Sequence, residues 1–221
     1  MADQKRPYRK KQRAELEAQT RRRITESTVE LHRTLGPART SISAVAERAG
    51  VRRSTVYRHF PDEAALFAAC SAHWTALNPP PDLTGWAAIE DPDERLRTGL
   101  GQLYAYYRNT ERMMENLHRD EATMPIVERL FAGFRDYVKA AHETLTSGRP
   151  TQGRAHQRVR ATIGHALAFA TWRSLTREQG LDDTQAADLM CRLADAALRD
   201  PDKPKRSRRR EQGRATTPSP A

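Results

Sequence analysis

The chain has 221 residues, enough for one large domain or two small ones sharing a core. Hydrophobic residues make up 38% and charged residues 30%, and no run approaches the roughly 18 apolar residues a membrane-spanning helix needs. The net charge of +10 is uneven: residues 1–13 hold six Lys and Arg against one Asp, residues 200–221 seven against three acids, and residues 14–60 nine Arg against five Glu. Residues 61–199 are left slightly acidic, so a polyanionic partner is expected at the N-terminal end.

Residues 1–13 lack apolar periodicity and read as a disordered basic arm. They have no apolar core behind their charges, so they are not read as a secretion signal. Cys70 and Cys191 lie far apart in helical patterns, which reads as two buried structural thiols and a cytoplasmic setting. From residue 15 the spacing of Ile24, Thr28, Leu31 and Leu35 predicts a helix with one inward face. Gly36-Pro37 ends it. A short helix follows with Ser41 as N-cap and Ile42, Val45, Ala46 and Ala49 on one side. Gly50 interrupts, and a third helix runs to about Phe60. Pro61-Asp62-Glu63 opens a fourth through Leu66, Phe67, Cys70 and Trp74, with carboxylates on its positive dipole end. The run Asn78-Pro79-Pro80-Pro81 stops it and marks a domain junction.

Further helices are expected over 92–110, around 113–118, and over 125–146, 154–178 and 182–199. The last is marked by Leu189, Leu193 and Ala196. No segment alternates with a period of two, so the fold is all-α. Its expected parts are a helix-turn-helix domain over 14–78, a helical regulatory and dimerisation domain over 82–199, and a disordered basic tail over 200–221.

The second and third helices can pack as a helix-turn-helix. Val45, Ala46 and Ala49 would meet Val56 and Phe60, Val51 would plug the corner, and Gly50 would supply a positive φ. Arg52, Arg53, Ser54, Thr55, Tyr57 and Arg58 are then left outward, which suits a recognition helix reading base edges and phosphates. The run Thr40-Ser41-Ile42-Ser43-Ala44-Val45-Ala46-Glu47-Arg48-Ala49-Gly50-Val51, followed by Ser54-Thr55-Val56-Tyr57-Arg58-His59-Phe60-Pro61, resembles the signature of the TetR (tetracycline repressor) family over about residues 20–75. The resemblance implies a homodimer, with a DNA-binding head and a helical domain carrying an inducer pocket and the dimer interface. It also implies base contacts from Arg52, Arg53 and Ser54, base or phosphate contacts from Thr55, Tyr57 and His59, and backbone anchoring by Ser41 and Ser43. One departure is Glu63, which stands where the family usually has a Lys near a DNA phosphate.

Other constellations are weaker. His118-Arg119-Asp120 is not followed by the Asn of a kinase loop, Gly99-Leu100-Gly101 lacks a third Gly, and no GxSxG or HExxH occurs. No enzyme activity, metal or cofactor is predicted. Between the C-terminal helices, Tyr104, Tyr107, Met113, Met114, Phe131, Phe134, Tyr137, His165, Phe169 and Trp172 could line a pocket for a small-molecule effector, with His165 and the tyrosine hydroxyls as polar handles. The Ala-rich stretches 154–178 and 182–199 could form a four-helix dimer interface. The reading is a homodimeric repressor on an inverted-repeat DNA operator, released by a ligand. The rivals are a ligand-independent DNA-binding or architectural protein, and a helical enzyme or binding module.

Overall fold

The computed structural model describes residues 5–150 and 152–199, which form α-helices with no strand among them. α1 (Lys5–Thr34) is the first. Ile24, Thr28 and Leu31 turn inward as their spacing predicts, and Thr25 and Thr28 return their hydroxyls to carbonyls one turn back. Leu35, expected on that face, is 44% exposed. Its N–H and that of Gly36 both reach the Leu31 carbonyl, and Gly36 at φ 94° turns the chain away. The expectation of a disordered arm over 1–13 is corrected for residues 5–13, which continue α1 as helix. Residues 8–19 are exposed and are strong helix formers supported by the i,i+4 pairs Lys11–Glu15 and Arg13–Glu17. Residues 1–4 and the tail expected over 200–221 lie outside the described residues.

α2 (Ile42–Arg48), α3 (Arg53–His59) and α4 (Glu63–Leu77) close on the second half of α1. Ile24, Val45, Ala46, Val56, Phe60 and Leu66 are at the centre of this small core. The prolines after α4 lead into α5 (Leu83–Ala87), a helix the sequence reading missed because it is one turn long and contains Gly85. Asp82 caps it by accepting from the Thr84 and Gly85 N–H groups, and Trp86 anchors it in the second core.

α6 (Pro92–Glu121) is one helix where two were expected. The polar run around Asn109 reads as a break, yet it holds neither Gly nor Pro, and Thr110 folds its hydroxyl back onto the Tyr106 carbonyl. α7 (Pro125–Thr146) packs against it. The helix expected over 154–178 is divided into α8 (Gly153–Ala166), α9 (Phe169–Arg173) and a wider π turn over Ser174–Glu178. At the division, the carbonyls of Ala166 and Leu167 accept from the hydroxyls of Tyr104 and Tyr107 on α6, at 2.9 and 2.6 Å. Buried carbonyls freed from the helical ladder need donors, and α6 supplies them. α10 (Asp183–Leu198) starts with a full capping box between Asp182 and Gln185 and packs along α8 and α6. Both cysteines are buried, and burial pushes the Cys70 and Cys191 thiols up to about 12 and about 11. No helix among the described residues is long and apolar enough to cross a membrane.

Candidate nucleic-acid interface and ligand cavity

The corner between α2 and α3 is built as the pattern requires. Gly50 takes φ +61°, its N–H reaches the Glu47 carbonyl, and Val51 N–H returns to Ala46 at 2.9 Å. Ser41 caps α2 by accepting from the Ala44 N–H at 3.1 Å. On α3, burial of Val56 and of Phe60 just beyond it sets the rotation of the helix. Arg52, Arg53, Ser54, Tyr57 and Arg58 are consequently exposed, with Thr55 and His59 half-buried. Ser41 and Ser43 are exposed at the start of α2, so all the residues expected to face DNA are reachable from solvent.

Arg21, which sequence reasoning missed, closes the far end of α3. Its guanidinium lies 4.1 Å over the Phe60 ring and donates to the His59 carbonyl. A cation on the last carbonyls of a helix favours its dipole, and the planar guanidinium stacks on the ring as well. Burial, then the charges of Arg58 and Arg21, lower the pKa of His59, so its imidazole favours the neutral form. At the start of α4, Asp62 caps by accepting from the Ala65 N–H at 2.7 Å, and exposed Glu63 adds a second carboxylate.

A second feature lies where the head meets the C-terminal helices. A cavity of about 400 Å³ is walled by α1 (Val29, His32), α4 (Phe67, Trp74), α6 (Tyr106, Met114) and α7 (Phe131, Phe134, Tyr137), with further small and apolar residues between them. Beside it, α6 grips the end of α1. Asn116 donates to the His32 and Arg33 carbonyls at 2.9 Å each, Arg119 donates to the Leu35 carbonyl at 3.1 Å, and Asp120 accepts from the Ala38 N–H at 2.9 Å. The last carbonyls of a helix have no partner within it, and here another domain supplies the donors. Burial opposes ionisation of Asp120, but the hydrogen bonds from Arg119 and Ala38 outweigh it and hold the carboxyl below its usual range.

The family model described as "Bacterial regulatory proteins, tetR family" matches residues 24–70, from the middle of α1 to Cys70 in α4. The head belongs to the TetR family. Solved structures carry the likeness across the chain as a fold. A TetR-like transcriptional regulator from Rhodococcus sp. RHA1 is 19% identical, with 81% of this chain and 95% of that one covered at a TM-score of 0.58. A second transcriptional regulator from the same organism is 17% identical over 80% and 95%, at a TM-score of 0.56. A tetR-family regulator from Streptomyces coelicolor is 19% identical over 81% and 79%, at 0.53. A search of curated proteins finds no sequence match.

In this TetR-type fold the residues expected to form a pocket divide into two groups. Met114, Phe134 and Tyr137 line the cavity, as do Met113 and Phe131. Tyr104, Tyr107, His165, Phe169 and Trp172 do not line this cavity. The hydroxyls of Tyr104 and Tyr107 are used at the α8–α9 division, and Trp172 donates its indole N–H to Asp183 at 3.0 Å. Phe169 packs into the same aromatic cluster, 5.3 Å from the Tyr107 ring. His165 is exposed on α8, its ring 3.3 Å from the Thr171 hydroxyl. The residues missed were His32, Phe67 and Trp74, because they belong to the head and the pocket was sought among the C-terminal helices. Their spacing on α1 and α4 marks them only as core, and which core they face is decided by the docking of α6 and α7.

Proposed function

We propose that this protein is a dimeric transcriptional repressor that binds an inverted-repeat DNA operator and is released from it by a small molecule. The observation that carries the reading is the cavity shared between the two domains. Its walls come from α1 and α4 of the head as well as α6 and α7, so whatever fills it touches the element that orients α3. A ligand shifts DNA affinity only if it prefers one arrangement of head and body over the other. A site walled by both parts meets that condition more directly than one enclosed in either part. Exposed Arg52, Arg53, Ser54 and Tyr57, with the hydroxyls of Ser41 and Ser43, supply the chemistry for bases and phosphates.

Dimerisation is supported by α10. Its buried face is made by Ala186, Met190, Cys191 and Ala194, leaving Leu189 and Leu193 outward at 38% and 45% exposure. Ala161 and Gly164 are small residues exposed on α8, the helix that packs against α10. A single short recognition helix reads few base pairs, whereas a two-fold pair reads two half-sites about 34–36 Å apart.

Selecting duplexes from a random pool with the full-length protein tests the reading. The expected product is an inverted repeat with half-site centres about one helical turn apart, bound by a species that sediments as a dimer. Enrichment of no sequence, or of a lone half-site bound by a monomer, overturns it. An operator that no small molecule relieves leaves a ligand-independent DNA-binding protein.

A further inference from the structure

Resting on the reading of the cavity as an effector site, we propose that its ligand is an uncharged, largely apolar molecule whose single hydrogen-bonding group pairs with His32. The lining contains no Lys, Arg, Asp or Glu. A carboxylate, phosphate or ammonium placed there would give up its water without gaining a counter-charge, which strongly disfavours it. The walls instead present rings from three helices, including Phe67 and Trp74 on α4 and Phe134 on α7. They favour a flat or chain-like apolar body, and about 400 Å³ suits a molecule of modest size.

Two of the polar groups around the cavity are committed. The Tyr137 hydroxyl donates to the Pro81 carbonyl at 3.0 Å, and the Cys70 thiol faces the Thr25 carbonyl. The hydroxyls of Ser71, Thr75 and Tyr106 and the Trp74 indole also border the cavity, but among the lining residues His32 alone holds a buried side-chain nitrogen without a partner. It is 5% exposed, its ring packs 4.7 Å from the Phe67 ring, and its buried Nε2 has no hydrogen-bond partner. A buried nitrogen without a partner costs stability, and a ligand that supplies the partner recovers it. Burial pushes the imidazole down to about 4, against the upward pull of Asp120, so it is neutral at physiological pH. A neutral imidazole nitrogen pairs with an alcohol, phenol or carbonyl group rather than acting as a counterion. The same residue's carbonyl is held by Asn116 on α6, so a ligand seated on His32 bears on the joint between head and body.

The test measures binding to the full-length protein without DNA, by calorimetry, using four matched probes. They are 4-pentylphenol, pentylbenzene, 4-pentylbenzoate and (4-pentylphenyl)trimethylammonium. The phenol is expected to bind about tenfold tighter than pentylbenzene, the gain of one net hydrogen bond, and the two ions weaker than either. In His32→Leu the phenol should fall to the affinity of pentylbenzene, whose own binding, little changed, reports that the variant is folded. Tighter binding of either ion, an undiminished phenol preference in His32→Leu, or no binding of any probe overturns the proposal. If His32→Leu fails to fold, the ranking of the four probes on the unaltered protein still decides. Because no DNA is present, probe binding can fail while operator selection succeeds, and the reverse outcome would spare the cavity while removing the proposed function.

Discussion

The two polar faces of the head use similar residue types under opposite solvent conditions. On the α3 face, Arg52, Arg53 and Arg58 are exposed, so their charges reach far into solvent but are screened by salt. On the face against α6, His32 of the head and Asn116 and Asp120 of α6 are buried, and all but the His32 imidazole have their hydrogen-bonding groups committed. Changes on the first face should therefore alter binding and its salt dependence while leaving folding alone. Changes on the second should alter folding and the coupling between domains. The contrast separates what meets a partner from what transmits its effect, although arginine, histidine and a carboxylate occur near both.

The largest expected effect is acid sensitivity from His32. Its imidazole titrates near 6.5 when unfolded and near 4 when folded, so between those values the unfolded chain binds the extra proton. Stability should therefore fall as pH drops from about 6.5 to about 4, by up to about 3 kcal/mol. Asp120, whose folded pKa is also lowered, acts in the same sense, but its share is lost only as pH falls through the lower, carboxylate range. Denaturant melts of the unaltered protein and His32→Phe across this range check the assignment. Identical acid slopes would remove His32 as the cause. A smaller effect is expected from Asn116→Leu, which leaves the buried carbonyls at the end of α1 without their donor. The loss should be about 2 kcal/mol, read as a Tm lower by roughly 4–8 °C. An unchanged Tm would mean that water replaces the amide and that the junction is wetter than it looks.

The same contrast explains what was legible from the residues. The α2–α3 corner is written in local chemistry, with Gly50, the Ser41 cap and the spacing of Val45, Val56 and Phe60 all within one short stretch. All-α character and most helix ends follow from period and from Gly and Pro in the same way. The cavity depends on the docking of segments far apart in the chain. Tyr104 and Tyr107 look like ligand handles until α8 is seen to divide opposite them, and His165 looks like one until it proves exposed. His32 has no marker in its neighbours, since its burial depends on α4 and α6. The continuation of α1 through 5–13 was missed for another reason. Its apolar residues make no stripe, and local propensity with paired charges carries the helix instead.

On the exposed face, Arg53→Ala should lower operator affinity by about tenfold, the range for one base or phosphate contact. Arg53 is exposed at the first position of α3, so the Tm should stay within about 1 °C if the side chain supports only binding. Fluorescence anisotropy at several salt concentrations distinguishes its roles. Loss confined to the selected operator indicates base reading, and loss shared with unrelated duplexes indicates a phosphate contact. A drop in Tm as large as that of Asn116→Leu would break the division between the two faces.

The smallest effect is expected at Glu63, where binding and folding pull in opposite directions. Its carboxylate sits in the first turn of α4, where the helix dipole favours negative charge, and it is exposed on the chain segment that follows α3. Glu63→Lys removes that dipole interaction, so stability should fall by about 0.3–1 kcal/mol. If the side chain lies near a DNA phosphate, the same change replaces repulsion with attraction. Affinity should then rise several-fold at low salt, and the salt slope should steepen by about 0.9 for one added contact. Tighter binding together with a lower Tm would show that the native carboxylate serves the helix at the expense of DNA affinity. A lower Tm with unchanged binding would place Glu63 away from the phosphates and leave attraction to the basic residues of α1 and α3.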